Sequence, residues 1–103
     1  MLPRETIIAY LSNYSSVEEA SINYSHSLAI FKIVMDSAIE KATLSDRQRE
    51  CAWRYYVRGD TQSSIAGDLG VSQATINEHI NVAIDKIRKQ TKGVDDDFRE
   101  YKR

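Results

Sequence analysis

The chain has 103 residues, 42% of them hydrophobic and 28% charged, with one Pro and four Gly. That composition fits one small globular unit or a compact module with an added arm, argues against wholesale disorder, and favours an all-helical fold. The net charge of −1 divides into three basic and five acidic residues over 1–42, eight and six over 43–92, and three and four beyond, so a mildly basic middle permits DNA binding without demanding it.

Cys51 is the single cysteine, which excludes a disulfide framework and a metal-ligand spacing. The opening "MLPRETIIAYL" lacks a basic stretch followed by a long apolar core. No apolar run reaches the roughly 18–20 residues that cross a bilayer, so a soluble cytoplasmic protein is expected, with no membrane partner.

"LPRETIIAYLSNY" predicts a short first helix, with Pro3 in its first turn and Ile7, Ile8 and Leu11 on its apolar face. "SNYSS" then interrupts it, and Ser16 with Glu19 three residues later has the form of a capping box. From there a second helix is expected to reach Ala42, because Val17, Ser21, Tyr24, Leu28, Phe31, Met35, Ala38 and Ala42 step by four and three. A helix of about 27 residues spans roughly 40 Å, more than a small domain needs for its own core. The seam at Tyr24, Leu28, Phe31, Met35 and Ala38 therefore points to a homodimer or higher oligomer. The alternative is that it covers the C-terminal helices within one chain. Ile22, Ala29, Ile30, Ile33 and Val34 widen the apolar surface, and that flank is expected to pack on the first helix.

Ser45 and Gln48 form a second capping box, and the helix they open is expected to stop at Gly59. Cys51 falls among its small inward positions and reads as core, not as a nucleophile. Thr61 can cap a further helix through Leu69, Gly70 ends it, and Ser72 caps a last helix continuing to about Gln90. The remainder, "TKGVDDDFREYKR", reads as a frayed tail whose adjacent carboxylates are solvated. The chain thus divides into an arm over 1–42, a second unit over 43–92 and a tail over 93–103.

The stretch "IAGDLGVSQATINEHI" meets the demands of a helix-turn-helix in order. Ile65 and Leu69 share an inner face, Ala66 is small where the two helices must cross, and Gly70 suits a left-handed turn. Val71 plugs the core, Ser72 caps the next helix, and Ile76, Ile80, Ala83, Ile84 and Ile87 give it a continuous buried face.

"LSDRQRECAWRYYVRGDTQSSIAGDLGVSQATINEHINVAIDKIRK", residues 44–89, resembles the fourth conserved region of sigma factors, and in "GVSQATINEHI" it is also similar to LuxR-type DNA-binding domains. The spacing from Leu44 to Ile65 and Ala66 fits the sigma-type pattern better. With an N-terminal helical arm in front, the architecture is similar to small phage, prophage and plasmid regulators of the ArpU-like and positive-control-factor groups. The resemblance implies an all-α fold: an N-terminal arm with a long helix, then a three-helix helix-turn-helix domain that binds double-stranded DNA. It further implies a transcriptional regulator in a bacterial cell or phage-infected host, able to contact RNA polymerase. No counterpart of the promoter-melting sigma region is present, so a complete sigma factor is not expected.

Family recognition helices often open with Arg and Lys. This one offers Ser72, Gln73, Ala74, Thr75, Asn77, Glu78 and Asn81 for reading bases. Gln and Asn can pair with adenine, Glu can accept from cytosine, and Ala or Thr can touch a thymine methyl. Affinity must come from phosphate contacts elsewhere: Thr61, Gln62 and Ser63 at a helix start, and Arg58, Lys86, Arg88 and Lys89, with Arg47, Arg54 and Lys92 as further candidates. One such module would bind weakly, and two tied together would bind far better. His79 reads as packing or a rim hydrogen bond, His26 as solvated, and Trp53 and Tyr56 as core or an aromatic patch for a partner. No catalytic constellation, phosphate loop, cofactor motif or zinc motif is present, so an enzyme is not expected. The rival readings are a DNA-packaging adaptor of the small-terminase kind and an interaction module acting on RNA polymerase or a repressor.

Overall fold

In the computed structural model, residues 1–16 and 26–94 are described. The expected all-helical fold holds: the elements are α1 (Arg4–Ser12), α2 (His26–Lys41), α3 (Asp46–Ala52), α4 (Gln62–Leu69) and α5 (Gln73–Lys89), with no strand among the described residues. Pro3 stands immediately before α1 in extended backbone, where its missing N–H costs nothing. The chain turns at Asn13 and is helical again over residues 14–16. Ser16 therefore sits within helical backbone and not at the extended cap anticipated for it. Glu19, Tyr24 and the first half of the seam lie outside the described residues.

α2 ends because Thr43 adopts a left-handed conformation, φ 49°, that a helix cannot continue through. Its hydroxyl donates to the Ala42 carbonyl at 2.7 Å. Two residues later the capping box closes in full: Gln48 N–H donates to Ser45 Oγ at 3.1 Å, and Ser45 N–H to Gln48 Oε1 at 3.0 Å.

The helix opened at Ser45 does not run regularly to Gly59. Over Trp53–Val57 it widens into a π turn, in which Arg58 N–H reaches back five residues to the Trp53 carbonyl at 3.1 Å. The extra residue per turn shifts the phase of the side chains. Trp53, Tyr56 and Val57 then face the arm, while Tyr55 and Tyr56 face the helix-turn-helix. Tyr56 bridges two cores, and burial raises its phenol above the ordinary range.

One core gathers Leu2, Ile7, Tyr10 and Leu11 of the arm, Phe31, Met35, Ala38 and Ile39 of α2, and Ile84 and Ile87 of α5. The other holds Cys51, Ile65, Ala66, Ile76 and Ile80. α5 is the common spine: its first half belongs to the helix-turn-helix and its second half carries the arm. Tyr10 stacks edge-on to both Tyr14 and Phe31 at 5.7 Å, and donates to Asp36 at 2.6 Å.

Within the single chain, the described part of the seam follows the second alternative and packs inside. Phe31, Met35 and Ala38 are buried inside the chain's own core and Leu28 packs against it. The flank expected on the first helix is divided: Val34 packs against the same core and Ala29 is half-buried, whereas Ile30 and Ile33 are 42% and 68% exposed. The apolar arc of α2 is wider than the narrow seam, and periodicity alone does not say which of its edges meets the core.

Candidate nucleic-acid interface

The helix-turn-helix is built by local chemistry. Thr61 Oγ1 accepts from Ser64 N–H at 3.0 Å and starts α4. Gly70 ends it at φ 69°, ψ 33°, and both Gly70 N–H and Val71 N–H return to the Ala66 carbonyl. Ser72 then caps α5, accepting from Thr75 N–H at 3.1 Å. Ile65, Ala66, Ile76 and Ile80 close the crossing with little or no exposure.

Arg54 fastens this unit to the π turn. Its guanidinium meets Asp60 at 2.9 Å and Asp68 at 2.5 Å, and these hydrogen bonds, Asp68 first, hold it above its ordinary value. Arg54 is therefore a strut between elements, whereas neighbouring Arg58 keeps a side chain 62% exposed beside Asp60 at 3.6 Å.

An open depression of about 670 Å³ lies between the end of α1, the π turn and the helix-turn-helix. Tyr55, Tyr56, Gly59, Asp60, Thr61, Gln62, Ser63 and Gln73 line it, with Ser12 at its edge. The structure thus brings the trio at the start of α4 beside Gln73 at the start of α5. Gln73, Ala74, Asn77 and Glu78 are exposed, and Thr75 and His79 are half-buried. The Ser72 and Thr75 hydroxyls lie 2.9 Å apart and are turned to each other and to the cap.

The basic residues at the far end of α5 are spread apart. Lys86 Nζ donates to Gln48 Oε1 at 2.8 Å, and Arg88 Nε donates to the Leu2 carbonyl at 2.8 Å. Lys89 and Lys92 are exposed, about 24 Å or more along the helix axis from Gln73. Arg47 is exposed on α3. Sequence reasoning gave no hint of these pairings, since Leu2 and Gln48 are far away along the chain.

The residue that sequence reasoning missed is Arg4. From the first turn of α1 it reaches α5, donating to Asn81 Oδ1 and meeting Asp85 at 3.1 Å. Asn81 in turn donates through Nδ2 to Asn77 Oδ1 at 2.8 Å. Asn81 is half-buried, with both ends of its amide engaged, by Arg4 and by Asn77. The sequence carries no signal for it: Arg4 and Asn81 are 77 positions apart.

Among the described residues no cluster of His, Cys, Asp or Glu is placed to hold a metal, and no helix is long and apolar enough to cross a membrane. A comparison with curated proteins and with solved structures finds no match. Residues 42–89 do match a family model, that of Sigma-70, region 4, a DNA-binding regulatory domain and not an enzyme family. Extending from the end of α2 to the end of α5, this segment is a sigma-70 region 4-like helix-turn-helix domain.

Proposed function

We propose that the chain is a sequence-specific double-stranded DNA-binding transcriptional regulator of phage or mobile-element type, acting in the cytoplasm of a bacterial cell or infected host. Residues 72–81 enter the major groove, where Gln73, Ala74, Asn77 and Glu78 meet base edges. Thr61 serves as the cap, so the Gln62 and Ser63 N–H groups, with Arg58 beside them, take a phosphate. Lys89 reaches the flanking backbone. Binding as a dimer or oligomer compensates for a recognition surface without Lys or Arg, and RNA polymerase is a further partner consistent with the region 4-like domain.

One observation carries the reading: exposed polar side chains at the start of α5 adjoin the open depression at the start of α4, inside a domain of a DNA-binding family. Electrophoretic mobility shift on DNA upstream of its own locus tests it. The expected result is a salt-sensitive, sequence-selective complex at micromolar protein, and its absence overturns the reading.

A second reading, a protein-interaction module acting on RNA polymerase, is favoured by the absence of Lys and Arg from residues 72–81. Capture of core polymerase together with no binding to any DNA would select it.

A further inference from the structure

Asn77 is an exposed amide in the middle of the proposed reading face, and an amide can present either a donor or an acceptor to a base. Which it presents is ordinarily open, because the two ends of the side chain are nearly isosteric. Here a chain of three side chains decides. Arg4 has only donors, so the Asn81 end that meets it is Oδ1. Asn81 then has its Nδ2 left for Asn77, and it donates to Asn77 Oδ1 at 2.8 Å. With Oδ1 turned back, Asn77 shows its Nδ2 outward, and no other described side chain accepts from it. Asp85 meets the same guanidinium at 3.1 Å in an exposed ion pair that favours this placement of Arg4.

We propose that Arg4 is a specificity-determining residue of the DNA site: through Asn81 it sets Asn77 as a hydrogen-bond donor, selecting a base edge that offers only acceptors. Guanine O6 and N7 or thymine O4 fit that edge in the major groove, whereas cytosine N4 offers a donor and is rejected. Arg4 itself touches no base and acts by positioning. The inference rests on the DNA-binding reading above. It also gives the arm a part in recognition that the helix-turn-helix alone lacks, because removing α1 would leave the Asn77 amide free to turn.

Asn81→Asp tests it with almost no change of shape. The carboxylate keeps Arg4 but has no N–H to give, so Asn77 turns its own Nδ2 toward residue 81 and its Oδ1 toward the groove. The full-length wild-type site is first selected from random DNA, and the base pair under Asn77 is identified as the one whose preference is lost in Asn77→Ala. Binding of wild type, N81D, R4Q and R4K to the four variants of that base pair is then compared as ratios, which cancel any general loss of affinity from added charge. Wild type is expected to favour guanine or thymine by about three- to tenfold, one hydrogen bond's worth. N81D should reverse the preference toward cytosine or adenine, R4Q should flatten it, and R4K, still a pure donor, should restore it. In the free protein, the Asn77 side-chain amide NMR signals should shift in N81D and R4Q, reporting the turn without DNA. A preference unchanged in both N81D and R4Q overturns this inference alone. A wild type that selects no sequence overturns the DNA-binding reading and this inference with it.

Discussion

The backbone N–H of Leu2 donates to Thr91 Oγ1 at 2.9 Å, and both residues are fully buried although 89 positions separate them. Thr91 passes its own proton to the Arg88 carbonyl at 2.6 Å, while Arg88 Nε returns to the Leu2 carbonyl. The first residues of the arm are thereby closed onto the last turn of α5. Thr91→Val keeps the shape and removes the acceptor, leaving a buried N–H without a partner. It should cost about 1–3 kcal/mol, read from the midpoint of urea unfolding at unchanged slope. Thr91→Ser, which retains the hydroxyl, should lose much less. Equal losses in the two would assign the effect to packing.

Two left-handed residues, Gly70 and Thr43, should respond in opposite directions. A Cβ at Gly70 would meet nothing within 4 Å, so the cost of Gly70→Ala is that of the backbone alone at φ 69°, about 1–2 kcal/mol. Gly70→Asn should cost less, because Asn tolerates this region better. At Thr43, φ 49° already places a β-branched residue there, and Thr43→Asn should raise the thermal midpoint. A lower midpoint for Thr43→Asn would show that the hydroxyl bond to Ala42 outweighs the backbone cost.

The elements legible in the sequence are those specified within a few residues of themselves. Ser45 with Gln48, Thr61, Gly70 and Ser72 each set a boundary through bonds no longer than a helical turn, and the structure has those bonds. The buried faces of α4 and α5 were legible for the same reason. What escaped was decided across the chain. Arg4 meets Asn81, Arg88 meets Leu2, and Lys86 meets Gln48, so three polar groups assigned to DNA have partners within the protein. The π turn escaped because no local pattern in Trp53–Val57 marks it, and the two cores its residues divide between are assembled from distant parts of the chain.

Cys51 is fully buried, and burial is the largest influence raising its thiol above the ordinary range, ahead of the opposing charge of Arg47. The folded state therefore holds the proton more tightly than the unfolded one. Its contribution to stability is complete below the ordinary thiol value and is lost as pH rises toward the raised folded value. Cys51→Ala should remove this alkaline decline while costing stability at neutral pH through lost packing. The thiol should react with a soluble disulfide reagent at the rate of unfolding. Rapid labelling of the native protein would contradict the burial.

Phe31 and Ile33 separate a core helix from an assembling one. Phe31 is 7% exposed among Tyr10 and the arm, so Phe31→Ala should cost about 3–5 kcal/mol in the isolated chain, whatever the oligomer does. Ile33 is 68% exposed in a single copy, and Ile33→Ser should change the stability of a monomer by no more than about 0.5 kcal/mol. Light scattering and unfolding at several protein concentrations distinguish the cases. If two copies join through this flank of α2, Ile33→Ser will dissociate them and abolish the concentration dependence of the midpoint, with the monomer still folded. If assembly uses the seam first identified by periodicity, Ile33→Ser will leave it intact. That second outcome would also require Phe31 and Met35 to leave the core they now occupy, so it predicts a slow exchange between monomer and oligomer that the first does not.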